Sequence, residues 1–226
     1  MAPLLQIHGP VSDGSVAFKN EAVEFCKEAP LFSYKENEEG VPEIYGSLEL
    51  RDDQGTLIDA YKIRVVCIPN YPSLFPYVYE TGGRIPVNID WHVYEGDGHA
   101  CICAIPEEIL VCHNGITLSS FIENQVKPYF FNQKHREMHG FFVRERSHGQ
   151  FGNIEFFIDI FKTSNILSIV KGLQYIKNRV EPGRTHPCFC GSGVKYRNCH
   201  REAYRLLKPL SPQILEAFIG FVMTFA

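Results

Sequence analysis

The chain of 226 residues is long enough for one large domain, or for one domain with small appendages. With 45% hydrophobic and 13% aromatic residues it can build a sizeable core, and its net charge of −4 lacks the basic surplus expected of nucleic-acid-binding proteins. We found no run of about 18 apolar residues, so we expect no membrane span.

The first half of the chain predicts a helix followed by an antiparallel meander. Residues 15–29 indicate a helix that Ser15 caps and Pro30 ends. Its inward face is expected to carry Val16, Ala22, Val23 and Cys26. Strands are predicted at 43–51, 57–67 and 77–81, with a hairpin turn at 52–55. The alternation of apolar and polar residues indicates a sheet with one face in water.

The second half predicts mainly helices. Residues 117–133 have helical spacing, with a capping box formed by Ser120 and Glu123 and a kink or break at Pro128. A loop with paired glycines follows at 140–152, and 154–161 is a strand or the start of a helix. We expect a helix over 165–180, with these residues inward: Ile166, Leu167, Val170, Leu173 and Ile176. After a linker at 181–185, residues 206–226 predict an apolar helix that packs on the body or on a partner.

The N-terminal stretch and the cysteine content predict a cytoplasmic protein. Residues 1–14 lack the basic-then-apolar layout of a secretory signal peptide. Eight cysteines without an export signal indicate a reducing compartment, where thiols more often bind metals or act in catalysis than form disulfides. The cysteines are therefore the first candidates for functional residues.

One stretch, residues 89–103, contains the only tryptophan, two histidines and two cysteines. Gly96 and Gly98 flank Asp97 and disfavour a helix or a long strand. We therefore expect Cys101 on an irregular surface segment, where reactive groups concentrate. The alternative is that Cys101 is a small buried hydrophobe, the commonest role of a free cysteine.

A turn with Tyr71-Pro72 and Pro76, then His92, then Gly98-His-Ala-Cys101-Ile, resembles the core of ubiquitin-conjugating enzymes. The resemblance spans about residues 15–135. It implies an α+β fold with an N-terminal helix, an antiparallel meander sheet and C-terminal helices. It also implies that Cys101 is the nucleophile that forms a thioester.

The family's His-Pro-Asn sequence is only partly present. In the family the histidine braces the loop and the asparagine stabilises the oxyanion. Here Val93 and Tyr94 follow His92, so His92 is interpreted as a brace rather than a base. The oxyanion donor stays open among these groups: Asn88, Asn114, His99 and backbone amides of the loop. His99 is also a candidate for orienting the Cys101 thiol or for placing a positive charge beside it.

Cys103 lies two residues beyond Cys101, and in an extended segment its side chain would point the same way. It is either a core thiol or a second acyl acceptor, and we favour the core. Core packing is also the expectation for Cys26, Cys67 and Cys112.

The second motif runs from Pro187 to His200 and contains Cys188, Cys190, Cys199 and His200. Three thiols and one imidazole suit a closed tetrahedral Zn²⁺ site without an open position for a catalytic water, so the ion would be structural. The stretch closely resembles the SEC-C motif, which occurs at the C-terminal end of the translocation ATPase and in many bacterial proteins. This resemblance implies a module for protein interactions and favours a bacterial source.

Together the motifs look closest to bacterial ubiquitin-conjugating-like proteins of antiphage defence operons, one group of which accompanies a cGAS/DncV-like nucleotidyltransferase in CBASS systems. That resemblance implies a thioester between Cys101 and the C-terminal glycine of the nucleotidyltransferase, then transfer to an amine, which primes second-messenger synthesis. The chain has no glycine-rich nucleotide-binding loop, so it is not expected to adenylate a C-terminus itself.

Three alternatives stay open. One is a conjugating enzyme for a bacterial ubiquitin-like modifier with a separate activating enzyme. Another is a non-catalytic adaptor of the same fold, and a cysteine hydrolase is a weaker third. In every case the expected partner is a protein, with no nucleic acid and no membrane. The predicted division of the chain is a ubiquitin-conjugating-like domain (1–162), a helical connection (163–182), the SEC-C zinc motif (183–204) and an apolar C-terminal helix (205–226).

Overall fold

A computed structural model describes residues 14–143 and 145–226. The described residues form two compact units. The N-terminal unit contains 14–103 and 111–146, and the C-terminal unit contains 104–110 and 147–226. The prediction that no signal peptide is present concerns a stretch that lies almost wholly outside the described residues.

The N-terminal unit combines helix α1 with a four-stranded antiparallel sheet in the order β1-β2-β3-β4. The bounds are α1 Ser15–Glu28, β1 Phe32–Glu36, β2 Pro42–Arg51, β3 Leu57–Val66 and β4 Tyr77–Glu80. The predicted antiparallel meander is confirmed, and β1 is an additional edge strand. Sequence alternation did not reveal β1 because only Phe32 of its five residues is buried.

The inward face of α1 differs from the prediction. Phe18 and Ala22 are buried, whereas Val16 is 63% exposed and Val23 is 38% exposed. Ser15 is the first helical residue, and Gly14 occupies the capping position without a side-chain bond. The face that packs on the core carries Phe18 and Ala22, with Phe25 and Cys26 partly buried beside them.

A nearly continuous helical run closes the N-terminal unit. It comprises α3 Leu118–Phe121, a π-helical turn Ile122–Val126 and α4 Lys127–His139. Thr117 caps it by accepting a 3.2 Å bond from the Ser120 amide, so the predicted Ser120–Glu123 capping box is wrong. Pro128 does not break the run. The preceding turn widens, with the Lys127 amide bonded to the Ile122 carbonyl, and the proline falls in the first turn of α4.

The C-terminal unit is helical apart from the cysteine motif. Its helices are α5 Gly149–Phe161, α6 Ile166–Asn178, α7 Arg201–Leu207 and α8 Pro212–Met223. A further helix, α2 Ile105–Cys112, starts in this unit and was not predicted. The ambiguous stretch 154–161 belongs to α5, and this helix begins at Gly149, inside the predicted loop.

Helix α6 is capped by Asn165, whose side chain accepts a 2.9 Å bond from the Ser168 amide. Val170, Leu173 and Ile176 are buried as predicted, whereas Leu167 is 56% exposed. Ile166 is only half-buried, and Ile169, which was not predicted to face inward, is fully buried. The apolar helix α8 packs on α6. The structure places α5 in the C-terminal unit, although the predicted first domain extended to residue 162. In the part of the chain that the structure describes, none of the helices is both long and apolar enough to cross a membrane.

An ion cluster on the N-terminal unit gives a pH-dependent prediction. Arg84 donates two 2.9 Å bonds to the Asp59 carboxylate, and Lys134 lies 2.8 Å from it. The Arg84 bonds hold the pKa of Asp59 well below its usual range, with Lys134 adding to the effect. Asp59→Asn should therefore lower the free energy of unfolding at pH 7 by about 1–2 kcal/mol.

The sign follows from the lowered pKa of folded Asp59. The stabilisation is fully present above the unfolded pKa of about 3.9 and is lost as pH falls through the folded pKa. Urea unfolding should thus show that the difference in free energy of unfolding between the wild type and Asp59→Asn narrows progressively below about pH 4. Asp53→Asn, at an exposed turn position, is the control. An equal difference at pH 7 and at pH 2.5 would contradict the assignment.

Candidate functional site

The segment that carries Cys101 is a folded loop of the N-terminal unit. It starts with a short 3-10 helix, Ile89–Trp91, which Asn88 caps by accepting a 2.7 Å bond from the Asp90 amide. His92 then adopts a left-handed conformation, with φ of +51°. A single antiparallel bridge pairs Val93 with Ala100.

Two backbone bonds on either side of that bridge define which residues face each other. The Cys101 amide donates to the His92 carbonyl at 2.8 Å, and the Tyr94 amide donates to the His99 carbonyl at 2.9 Å. His92 therefore lies opposite Cys101, and Tyr94 lies opposite His99. The turn between them closes at Gly98, whose φ of +82° favours glycine.

The orientation of Cys101 follows from its neighbours. Ala100 and Ile102 both pack against the hydrophobic core, and the Ala100 amide bonds the Val78 carbonyl at 2.7 Å. Side chains alternate along an extended segment, so those of His99 and Cys101 point away from the core. Cys101 is partly exposed in an irregular segment, which is the environment that the sequence predicted.

Helix α4 holds the loop through two carbonyl groups. The Tyr129 hydroxyl donates to the His92 carbonyl at 3.0 Å, and Gln133 Nε2 donates to the Trp91 carbonyl at 2.7 Å. Both side chains are buried. Burial raises the pKa of the Tyr129 phenol; a hydrogen bond with Gln133 offsets part of this rise, and the charge of a Cys101 thiolate adds to it. Tyr129 thus stays a neutral donor.

An aromatic stack braces the other side of this loop. The Arg136 guanidinium lies 4.3 Å from the centre of the Trp91 ring and 4.6 Å from that of Phe142. Arg136 also donates to the Asp90 carbonyl. The His92 ring meets Phe142 edge-on at 4.8 Å. Packing of this kind fits the predicted bracing role of His92.

His99 is clamped between two tyrosines. Its ring stacks on Tyr77 and on Tyr94, each at 4.3 Å between centres. Its Nδ1 lies 2.5 Å from Asp97 Oδ1. Partial burial opposes ionisation of Asp97, but bonds from the His99 ring and backbone lower the pKa of this carboxyl below its usual value. Asp97 is therefore a carboxylate that accepts from His99.

Three other candidate residues lie in or near this loop. Cys103 follows at a bend, and its side chain packs against the core, as the core-thiol alternative requires. The Asn88 carbonyl oxygen is used as a helix cap, and Asn114 lies in the exposed turn after α2. Sequence reasoning missed Tyr129 and Gln133, although their i, i+4 spacing places both on one face of a helix.

The second candidate site lies wholly in the C-terminal unit. The ligand atoms of Cys188, Cys190, Cys199 and His200 all lie within 4.8 Å of one another. Cys190 Sγ is 3.6 Å from Cys199 Sγ, and His200 Nδ1 is 3.2 Å from Cys199 Sγ and 3.3 Å from Cys188 Sγ. The structure brings together all four predicted metal ligands.

A short hairpin and a second layer of contacts shape this cluster. The Cys188 amide bonds the Val194 carbonyl at 2.9 Å, and Gly191 and Gly193 take positive φ values of +81° and +74° between them. His200 Nε2 lies 2.7 Å from the Phe161 carbonyl. That bond places the proton on Nε2 and leaves Nδ1 as the ligand atom.

The donor set fits a metal ion in geometry and in chemistry. In a tetrahedron with Zn–S bonds of about 2.3 Å, neighbouring sulfurs are about 3.7 Å apart, and the Cys190–Cys199 separation of 3.6 Å agrees. Burial opposes ionisation, but hydrogen bonds with Ser192, whose hydroxyl is 3.2 Å away, and with the neighbouring thiols lower the pKa of Cys190 to about 6. Burial and the neighbouring thiols raise the pKa of Cys199 in turn, so the first thiolate of the pair forms at Cys190. A thiolate is thus readily formed at this position.

Comparison with known proteins places this cluster in a defined motif. Residues 184–202 match the family model of the SEC-C motif. The motif is a zinc-binding type, and its match includes all four clustered residues. The sequence-based assignment of this motif is confirmed.

Curated relatives match the same end of the chain. Protein translocase subunit SecA of Borreliella afzelii (strain PKo) is 48% identical over 31 residues, which is 14% of this chain and 3% of that protein. SecA of Borrelia garinii subsp. bavariensis gives the same figures. The chain therefore spans only a small fraction of the length of these relatives.

A solved structure is similar to a larger part of the chain. It is the yeast vps23 UEV domain in complex with a vps27 PSDP peptide. The similarity covers 64% of this chain and 91% of that domain, at 10% sequence identity and a TM-score of 0.35.

Proposed function

We propose that the protein is a ubiquitin-conjugating-like transferase that carries the C-terminal glycine of a partner protein as a thioester on Cys101. The acyl group then passes to an amine or another acceptor. The favoured partner is a cGAS/DncV-like nucleotidyltransferase of a bacterial antiviral CBASS system, where the transfer would prime defence signalling. This partner rests on the resemblance of the motifs.

The observation that carries the proposal is the presentation of Cys101. Its neighbours Ala100 and Ile102 anchor the segment in the core, so the thiol is held outward on a braced loop. A nucleophile needs this combination of exposure and fixed position. The order of elements before the loop, α1 and then an antiparallel meander, is also that of the resembling family.

The chemistry takes place in two exchanges. The Cys101 thiolate attacks the carbonyl of an activated C-terminal glycine, an acyl adenylate or another thioester, and the donor's leaving group departs as the C–S bond forms. An acceptor amine then attacks the new thioester, loses its proton, and the Cys101 thiolate leaves. The activated donor must be supplied by another protein, because the chain has no glycine-rich nucleotide loop.

The SEC-C motif has a different role in this proposal. We propose that its four residues hold a structural Zn²⁺, because three cysteines and one histidine complete the tetrahedral shell of the ion. The module would then serve as a rigid contact surface for a partner protein. No reaction step involves this ion.

The test is intact mass spectrometry under non-reducing conditions, after co-expression with the proteins encoded beside this one. The wild type should carry an adduct equal to the mass of one neighbouring protein minus one water. Hydroxylamine or a thiol should release it, since a thioester is cleaved by both. Cys101→Ala should abolish the adduct completely, and Cys103→Ala should retain it.

The alternatives give different results in the same experiment. An adduct with a small ubiquitin-like protein, formed only when an activating enzyme is present, would replace the nucleotidyltransferase with a modifier. A wild type that stays unmodified but co-purifies with a neighbouring protein would support the non-catalytic adaptor. That second outcome would refute the transferase.

A further inference from the structure

We propose that Asp97, His99 and Cys101 form a proton-transfer unit in which Asp97 fixes the tautomer of His99 and His99 Nε2 accepts the proton of the Cys101 thiol. The inference deepens the proposed function, and rests on it, because it assigns the group that activates the nucleophile. Asp97 is then a positioning residue, and His99 is the base.

The first step is the shared orientation of the two side chains. His99 and Cys101 flank Ala100, and Ala100 and Ile102 face the core. Residues two apart in an extended segment lie on the same side, about 6.6 Å apart along the chain. Imidazole and thiol therefore emerge from the same outward face of the loop.

The second step is the tautomer of His99. Asp97 Oδ1 lies 2.5 Å from Nδ1, and an ionised carboxylate only accepts hydrogen bonds. The lowered pKa of Asp97 keeps this group ionised at neutral pH. Nδ1 therefore carries the proton, and the lone pair of the neutral ring is on Nε2. The same logic orients the base in acid–histidine–nucleophile triads.

The third step is the rigidity of the ring. Tyr77 and Tyr94 stack on its two faces at interplanar angles of 22° and 29°. Tyr79 approaches its edge at 6.5 Å, and the Arg64 guanidinium lies 4.5 Å from the centre of the Tyr79 ring. A ring held on both faces keeps Nε2 in one direction, which a positioned base requires.

Other titratable groups also face this surface. His92 lies opposite Cys101 across the bridge, and Tyr129 from α4 binds the His92 carbonyl. Because Tyr129 remains a neutral phenol, it does not compete for the thiol proton. The His92 ring packs against Phe142, and one of its nitrogens lies within 4.8 Å of a Glu145 carboxylate oxygen. We assign His92 no proton transfer.

The proton transfer is balanced without a co-reactant. Nε2 takes the thiol proton, so an imidazolium and a thiolate form together. The thiolate then forms the C–S bond with the acyl carbon, and the donor's leaving group departs. A thiolate leaving group can take the proton back from Nε2, which restores the neutral ring. When the donor is an acyl adenylate, the nucleotide leaves as its anion and Nε2 releases the proton to water.

The test is the rate at which iodoacetamide alkylates Cys101 in the full chain, followed by peptide mass spectrometry. At pH 7, His99→Gln should slow alkylation about ten-fold, the effect of a one-unit change in thiol ionisation. Asp97→Asn should slow it in the same direction. His113→Gln, at an exposed turn position, should match the wild type. At pH 9.5 all rates should converge, because the thiol then ionises without help.

Two results would overturn the proposal. One is a His99→Gln protein that matches the wild type at pH 7, and the other is one that is slowed equally at both pH values. Should the variant misfold by circular dichroism, ¹⁵N NMR of wild-type His99 decides instead. We expect the Nδ1–H tautomer in the wild type, and the Nε2–H tautomer would refute the assignment.

Alkylation needs no protein partner, so the two proposals fail separately. If the alkylation pattern holds and no acyl adduct forms on the wild type, the transferase proposal fails and the proton-transfer unit stands. If the adduct forms and His99→Gln leaves alkylation unchanged, the transferase stands and this inference fails.

Discussion

Replacing Cys188 by serine is expected to abolish stoichiometric zinc binding and to melt the hairpin of the cysteine motif. Cys188 is 4% exposed and His200 is 8% exposed, so both ligands lie on the buried side of the cluster. A serine hydroxyl is a poor ligand for zinc, and three remaining ligands cannot close the tetrahedral shell.

The expected loss is large because metal binding and folding are coupled in such small motifs. Structural zinc contributes on the order of 10 kcal/mol in zinc-finger peptides. The described part of the motif has few apolar contacts that could hold it together without zinc. Tyr196 is buried, and the Phe189 ring stacks on Tyr175 at 4.5 Å. Removal of zinc should therefore expose Tyr196 and Phe189.

Two measurements check this prediction. Elemental analysis of the purified wild type should give one zinc per chain, and Cys188→Ser should give less than a tenth of that value, as expected for an open, three-ligand site. Thermal unfolding should show a lower midpoint for the variant. Cys26→Ser on α1 is the control, and it should keep the full zinc content. A variant that binds zinc like the wild type would exclude Cys188 as a ligand.

The zinc motif was predictable because its information is local. All four ligands lie within 13 residues, and the glycines that permit the positive φ values lie between them. What the sequence did not reveal is the partner of the histidine. The Phe161 carbonyl that fixes His200 lies 39 residues away, and backbone groups have no signature in a side-chain pattern.

The loop that carries Cys101 was predictable only in part, because only its local features are visible in the sequence. Gly96 and Gly98 indicated an irregular surface segment, and Cys101 lies in one. The clamp on His99 depends on Tyr77 in β4, and the carbonyl bonds depend on Tyr129 and Gln133 in α4. These contacts are made by tertiary packing, which helical or strand periodicity does not specify.

Two features of the helices were predicted wrongly, and each has a physical cause. The face of α1 was misjudged because Val16 and Val23 were counted and Phe18 was not, although the larger ring is the one that is buried. Pro128 predicted a break, but a wider turn before it removes the need for its missing amide. Such an adjustment depends on the packing around the helix.

Phe130→Ala is expected to destabilise the N-terminal unit strongly, with a loss of about 3–5 kcal/mol in the free energy of unfolding. Phe130 is fully buried. Its ring lies 4.8 Å from the Tyr61 ring and 5.1 Å from the Tyr129 ring. Removing the Phe130 ring leaves a cavity next to Tyr129, which bonds the loop that carries Cys101. Urea unfolding measures the resulting loss in the free energy of unfolding.

Tyr129→Phe is the matched comparison because it keeps the ring and removes only the hydroxyl, which bonds the His92 carbonyl and interacts with Gln133. We expect a loss of about 1–2 kcal/mol. Hydrogen exchange at the Cys101 amide, which donates to the His92 carbonyl, separates local loosening of the loop from a general loss of stability. Tyr129→Phe should speed exchange at Cys101 far more than in the central strands, whereas Phe130→Ala should speed both.

Met138→Ala, at a 63% exposed position of α4, is the control and should stay within about 0.5 kcal/mol of the wild type. If Tyr129→Phe leaves exchange at Cys101 unchanged, the hydroxyl does not hold the loop. Bracing by the Arg136 stack would then account for the position of the thiol. A Phe130→Ala protein as stable as the wild type would instead contradict the packing of the core beneath α4, and with it the support of the loop that carries Cys101.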